Sequence, residues 1–227
     1  MNISENIAKI FSKIDEASAK VGKTRNDILL VAVSKTHPVE KIIEARDCGL
    51  YIFGENKAQE LLQKYDKVKD VKWHFIGHLQ RNKVKYIIDK VDLIHSLDSI
   101  PLAEEIDKRA NKIGRKMPVL IEVNIGKEES KSGIYEEDVL EFAKQLTNFQ
   151  NIILQGIMTI PPICEDVNKT RDYFKRMREI FENLKLLNYD NFDIKFLSMG
   201  MTNDFEIAIE EGANIVRIGT GIFGSRL

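Results

Sequence analysis

Short apolar runs alternate along the chain with longer stretches in which apolar positions recur every three or four residues. The runs are ILLVAVS (28–34), LYIF (50–53), WHFIG (73–77), DLIHS (92–96), PVLIEVN (118–124), IILQGIMTI (152–160), IKFLS (194–198) and NIVRIG (214–219). Their length and their flanking turn residues predict strands. Helical periodicity lies between them, clearest over 39–48, 55–65, 99–113, 136–148 and 166–187, with shorter segments after Gln80 and Asn203. Ahead of the first strand, Ile7, Ile10, Phe11, Ile14, Ala17 and Val21 recur at helical spacing, with Ser4 as the expected cap.

Eight strands, each followed by a helix except the last, predict an α/β chain with a parallel sheet. Eight such units fit a single (β/α)8 TIM-type barrel. An open doubly wound sheet is the competing architecture. No helix is expected after strand eight, so the N-terminal helix is expected to complete the outer helical ring. No Gly/Ser or Pro linker interrupts the pattern, and one domain over 1–227 is expected. PPICEDVN (161–168) reads as a plain strand-to-helix loop.

Composition narrows the class. The 227 residues carry 34 basic and 35 acidic side chains, a net charge of −1. That balance argues against a dedicated nucleic-acid binder. The locally basic RNKVKYIIDK (81–90) reads as the solvated face of a short helix. No apolar run approaches a membrane span, and MNISENIAKIFSKI lacks a signal peptide's apolar core. Cys48 and Cys164 have no partner at metal or redox spacing and read as reduced thiols. A soluble cytoplasmic protein is expected, without a nucleic-acid or membrane partner.

In such a barrel the chemistry sits at the C-terminal ends of the strands. Those tips read Lys35, Gly54-Glu55-Asn56, Gly77-His78, His95-Ser96, Asn124, Met158-Thr159, Ser198-Met199-Gly200 and Arg217-Ile218-Gly219-Thr220. Polar residues at nearly every tip are expected to converge on one mouth as a ligand site. Strand alternation puts Val31, Val33 and Lys35 on one face. If that face lines the barrel, Lys35 loses water and its pKa falls. The neutral amine then suits a Schiff base with a carbonyl. A lysine that snorkels out of the strand end is the other reading.

Glycine turns follow the last two strands, in SMGMTND (198–204) and GTGIFG (219–224). The loops after strands seven and eight often bind phosphate in this fold. Glycines let backbone N–H groups approach a ligand, and Ser198 and Thr220 offer hydroxyls. An amine and a phosphate cradle together suit an aldehyde that carries a phosphate. Pyridoxal phosphate fits, and so does a phosphorylated sugar in an aldolase. Arg217 bears on the choice. Pointing inward, its permanent cation would face a pyridine nitrogen, keep it unprotonated and weaken the ring as an electron sink. The strand alone leaves its face open, and an ion pair with Glu206 or Glu210 is the alternative. His74 and His78 flank a strand end instead of sharing a helical face, so no metal site is expected. GKEESKSG (126–133) is expected to form a mobile charged loop at the mouth.

Seven blocks, AVSKTHP (32–38), FGENKAQE (53–60), WHFIGHLQRNKVK (73–85), VNIGKEESKSG (123–133), GIMTI (156–160), SMGMTNDFEIAI (198–209) and VRIGTGIFG (216–224), resemble the YggS/PROSC family of pyridoxal-phosphate homeostasis proteins in order and spacing. Thr202 stands where a serine is common and keeps the hydroxyl. The resemblance implies a barrel like the N-terminal domain of bacterial alanine racemase, with pyridoxal 5'-phosphate (PLP) held by Lys35 as a Schiff base. It implies phosphate contacts from Ser198, Gly200, Gly219 and Thr220, and Arg217 near the pyridine nitrogen. It implies that Asn56, His78, Met199 and Met201 line the ring. The implied role is intracellular PLP (vitamin B6) homeostasis, by buffering the cofactor or delivering it to apo PLP-dependent enzymes, without robust catalysis. A racemase-like PLP enzyme is the alternative. Racemases of the related fold take a tyrosine base and their dimer site from a second domain, for which the residues after strand eight leave no room. A monomer is therefore expected, and no convincing second base for two-base racemisation is found.

Overall fold

The eight apolar runs form eight parallel strands: β1 Leu29–Val33, β2 Ile52–Glu55, β3 Lys72–Phe75, β4 Leu93–Leu97, β5 Met117–Val123, β6 Ile152–Thr159, β7 Phe192–Ser198 and β8 Ile215–Ile218. They follow one another around a closed barrel. The ring closes where β8 pairs with β1, Leu29 opposite Ile215 and Val31 opposite Arg217. The computed structural model describes residues 2–224. No helix among them is long and apolar enough to cross a membrane.

The helices are α1 Ile3–Ala19, α2 Val39–Asp47, α3 Ala58–Tyr65, α4 Arg81–Ile87, α5 Ile100–Lys112, α6 Val139–Gln145, α7 Val167–Lys185, α8 Phe205–Glu210 and α9 Thr220–Phe223. Helix α1 buries Ile3, Ile7, Ile10, Ile14 and Ala17 and packs against α2, α8 and α9. Each buried isoleucine contributes about 1.5–3 kcal/mol. The N-terminal helix therefore completes the outer ring, as the sequence predicts.

Three local expectations are corrected. The cap of α1 is Asn2, whose Oδ1 accepts from the Ser4 N–H at 2.9 Å; Ser4 already lies inside the helix. Val21 lies beyond the helix and is exposed. A helix does follow strand eight, but α9 is a single turn, too short to cover the sheet. The Asn6 amide on α1 caps it, donating to Ile222 O at 2.9 Å.

Strand alternation separates two cores. The larger lies between the sheet and the helices and takes Leu30, Ala32, Phe53, Trp73, Phe75 and Val216 from the strands. The smaller fills the barrel lumen with Val31, Leu93, Leu120, Met158 and Ile215, packed by Leu29, Ile52 and Phe196. Two residues further along those same inward faces, the lumen turns polar. Leu93 is followed by His95, Phe196 by Ser198 and Ile215 by Arg217.

Candidate functional site

Arg217 points into the barrel, because it shares its face with Ile215. It is buried, and burial draws its pKa down to about 10, which leaves it a cation at neutral pH. Its Nη1 donates to Ser198 Oγ at 2.7 Å and its Nη2 to the Thr159 carbonyl at 2.8 Å. Behind Ser198, His95 Nδ1 lies 3.0 Å from the hydroxyl, and His95 Nε2 lies 3.0 Å from His74 Nδ1. Burial lowers both histidines, His74 to about 3, so this file of hydrogen bonds is neutral behind the guanidinium. Glu206 and Glu210, the sequence-based alternative partners, pair instead with Lys13, Lys20 and Arg171 on the outer surface.

Above Arg217 opens a cavity of about 360 Å³. Val33 and Lys35 form one side of it, and Gly219 and Thr220 another. Met201, Thr202 and Asp204, from the turn after β7, line it beside them. Lys35 lies two residues beyond the end of β1, in a turn, and is half-buried. It shares the cavity with Val33, as the alternation argument requires. Thr202 Oγ1 lies 3.4 Å from Thr220 Oγ1 and accepts from the Gly221 N–H at 3.2 Å. The two hydroxyls and a glycine backbone thus meet at one edge. Gly200 makes the turn possible: its φ is +92°, and a Cβ there would sit 2.6 Å from Ala208 Cβ. Asp204 Oδ1 accepts from Met201 N–H at 2.6 Å, and burial raises its carboxyl.

The remaining wall was not anticipated. Pro161, Pro162, Ile163 and Cys164, read from the sequence as a plain loop, line the cavity together with Thr170 of α7. Ile163 is fully exposed on its rim. Gly126 lets the β5–α6 loop pack beneath, since a Cβ would lie 2.3 Å from Pro162 Cγ. Two prolines in succession were the available signal, because a rigid loop after a barrel strand is a wall as readily as a connection.

The other predicted residues are placed as follows. Ser198 is fully buried, and its hydroxyl serves Arg217 and His95 inside the barrel. Met199 points into the outer core. Asn56 and His78 do not line the cavity; His78 is exposed, with Nδ1 3.2 Å from Asp98 Oδ2. Asn56 Oδ1 is buried without a hydrogen-bond partner.

The polar strand tips do not all converge on the mouth, because alternate tip residues turn outward. Ser34 donates to Glu55 Oε1 at 2.6 Å, and both meet Lys64 of α3. Burial pushes the Glu55 carboxyl up, against the pull of Lys64. The 126–133 loop is hydrogen-bonded back to the end of β5. Asn124 donates to Glu128 O and Lys131 O at 2.9 and 3.3 Å, and Ile134 bridges to Val123. Among the described residues, no group of three or more His, Cys, Asp and Glu side chains gathers as a metal site.

The family profile described as alanine racemase, N-terminal domain, matches residues 6–227. The chain is 47% identical to the pyridoxal phosphate homeostasis protein of Aquifex aeolicus, covering 100% of this chain and 99% of that one. It is 36% identical to the protein of the same name from Escherichia coli, covering 99% and 97%. Among solved structures, PipY of Synechococcus elongatus with PLP bound matches with a TM-score of 0.83 at 32% identity, over 98% of this chain and 100% of that one. An alanine racemase of Clostridium difficile matches with a TM-score of 0.74 at 17% identity, over 99% of this chain and 57% of the racemase, a likeness of fold alone. With a full-length match to the racemase-type barrel and relatives of this identity along its whole length, the chain belongs to the YggS/PROSC family of pyridoxal phosphate homeostasis proteins.

Proposed function

We propose that this chain, as one barrel domain over residues 1–227, binds PLP in the cavity above Arg217 and buffers or delivers it. The observation that carries the reading is the meeting of Lys35, Arg217, Thr202 and Thr220 around one cavity of about 360 Å³. The donor set suits each part of the cofactor. Lys35 is a primary amine for the aldehyde, which it holds as a Schiff base. Thr220 and Thr202, with the Gly219 turn, receive the phosphate. Arg217 has N–H donors beyond the two already used, which would suit the pyridine nitrogen, an acceptor. Met201 lines the ring. Ser198 acts one step back, by holding Arg217. The volume lies within the usual range for small-molecule sites, roughly 300–1,000 Å³.

Bound PLP would supply an aldehyde carbonyl and a ring that can accept electrons. A cation at the ring nitrogen, in place of a carboxylate, weakens that electron sink. This favours holding the cofactor over turning over a substrate. The protein is read as cytoplasmic and monomeric, with apo PLP-dependent enzymes as recipients.

The test is transfer. PLP-loaded protein is mixed with an apo PLP enzyme, and the return of activity is timed against release of PLP into buffer. Recovery faster than free release supports delivery; recovery at the rate of release limits the role to buffering. Substantial racemisation of any proteinogenic amino acid would instead favour the enzyme reading.

A further inference from the structure

The backbone on both sides of Lys35 is gripped by one ion cluster, buried at Glu55 and Lys64 and partly exposed at Glu60. Before it, the Ser34 carbonyl accepts from Lys64 Nζ at 2.8 Å and from the His37 N–H at 3.1 Å. The Ser34 hydroxyl donates to Glu55 Oε1 at 2.6 Å. After it, the Thr36 N–H donates to Glu60 Oε1. Lys64 joins the two sides, with Nζ 2.7 Å from Glu55 Oε1 and 2.6 Å from Glu60 Oε1. An ammonium has three donors, and these three contacts use them all.

The residue between these grips and the next turn is strained. Thr36 has φ +67°, the left-handed region, which a β-branched side chain rarely adopts. Such conformations persist where the surroundings over-determine them, and they cluster at functional sites. Here the surroundings are Glu60 and Lys64, one turn apart on α3, and Glu55 at the end of β2. A buried ion pair gives little net stability over an apolar contact of the same size. Geometry is the better reason for this one.

We infer that the Glu55–Lys64–Glu60 cluster is a positioning device for Lys35. It fixes the turn so that the Lys35 amine meets an aldehyde held in the cavity. It also engages every donor of Lys64, the buried lysine of α3, so that only one amine reacts. The inference rests on the PLP reading. In the step concerned, the Lys35 nitrogen forms a bond to the aldehyde carbon. The carbonyl oxygen takes up the two amine protons and leaves as water, and a C=N bond remains.

The experiment compares wild type with Lys64→Met, Glu60→Ala and Lys64→Arg, using PLP itself as the probe. Two quantities are read: total PLP retained on dialysis, and the rate at which PLP becomes fixable by borohydride, followed from about pH 6 to 9. Misplacing the amine should slow fixation by about ten- to a hundredfold in Lys64→Met and Glu60→Ala and change its pH profile. Total retention should fall far less, because the phosphate edge is untouched. Lys64→Arg, which keeps a cation and its donors, should recover much of the rate. Folded Lys64→Met and Glu60→Ala proteins with the wild-type rate and pH profile would overturn the inference. Should Lys64→Met not fold, Glu60→Ala, at a partly exposed position, decides. A wild type that fixes no PLP removes the PLP reading itself, and the inference with it.

Discussion

Arg217 and Ser198 meet inside the barrel, Nη1 to Oγ at 2.7 Å, with His95 behind the serine at 3.0 Å. No carboxylate pairs with this buried guanidinium among the described residues. Asp204 and Glu122 act on it only through the field. Arg217→Met should leave the Thr159 carbonyl short of a donor and lower stability by about 1–3 kcal/mol. It should also remove the cation that opposes protonation of a bound pyridine nitrogen. The absorbance of bound PLP should then titrate at higher pH than in wild type. An unchanged titration would separate Arg217 from the ring.

The hydroxyls of Thr202 and Thr220 should read the phosphate. Thr202→Val and Thr220→Val should each weaken PLP binding by about tenfold or more, the worth of one hydrogen bond to a charged group. Pyridoxal, which lacks the phosphate, should bind both variants as it binds wild type. Equal losses for the two ligands would move the phosphate elsewhere.

Lys35→Ala should abolish the borohydride-fixable adduct and keep part of the phosphate-dependent binding, because amine and hydroxyl edge come from different strands. Dialysis against PLP and pyridoxal checks both. Loss of all binding in a folded variant would contradict a two-part site.

Acid should unfold the protein through its buried histidines. His74 is lowered to about 3 from 6.5, and His95 well below 6.5, in both cases chiefly by burial. A depressed folded value means that the unfolded chain takes up the proton first. The stabilisation is complete above about pH 6.5 and is lost progressively as pH falls below it. Glu122 acts in the opposite sense. Burial, aided by Asp98, pushes it up to about 7 from 4.5, so its contribution is present at low pH and is lost as pH rises through 7. Glu55 and Asp204, whose carboxyls burial also raises, act in the same sense as Glu122 and against the histidines, so the prediction is read from single variants against wild type. Between about pH 4.5 and 6.5, Glu122→Gln should make stability rise more with pH than in wild type, and His95→Gln should make it rise less. Denaturant titrations at several pH values decide, and variant profiles parallel to wild type would contradict the assignment.

The barrel was legible because strand length and helical period are local signals that survive without any partner. Lys35 was legible for a similar reason: parity along β1 carries it from Val31 to the mouth. Arg217 needed the closed ring, since only the pairing of β8 with β1 shows which face is inside. The Glu55–Lys64 contact left no local trace, because its partners come from β2 and α3 and meet only on folding. The spacing of Glu60 and Lys64 reads equally well as an exposed helical pair. Ser198 was placed correctly at a strand tip, but a strand tip does not reveal that its hydroxyl meets Arg217 and His95 in the lumen. The wall made by Pro161 to Cys164 depends on how a loop folds back, which no periodicity encodes.

The central claim is that Lys35 is the amine that holds the cofactor. Wild-type protein loaded with PLP, reduced with borohydride and digested should yield one PLP-modified peptide, with the label on Lys35. A label on Lys64 or scattered over surface lysines, or none at all, would contradict the account.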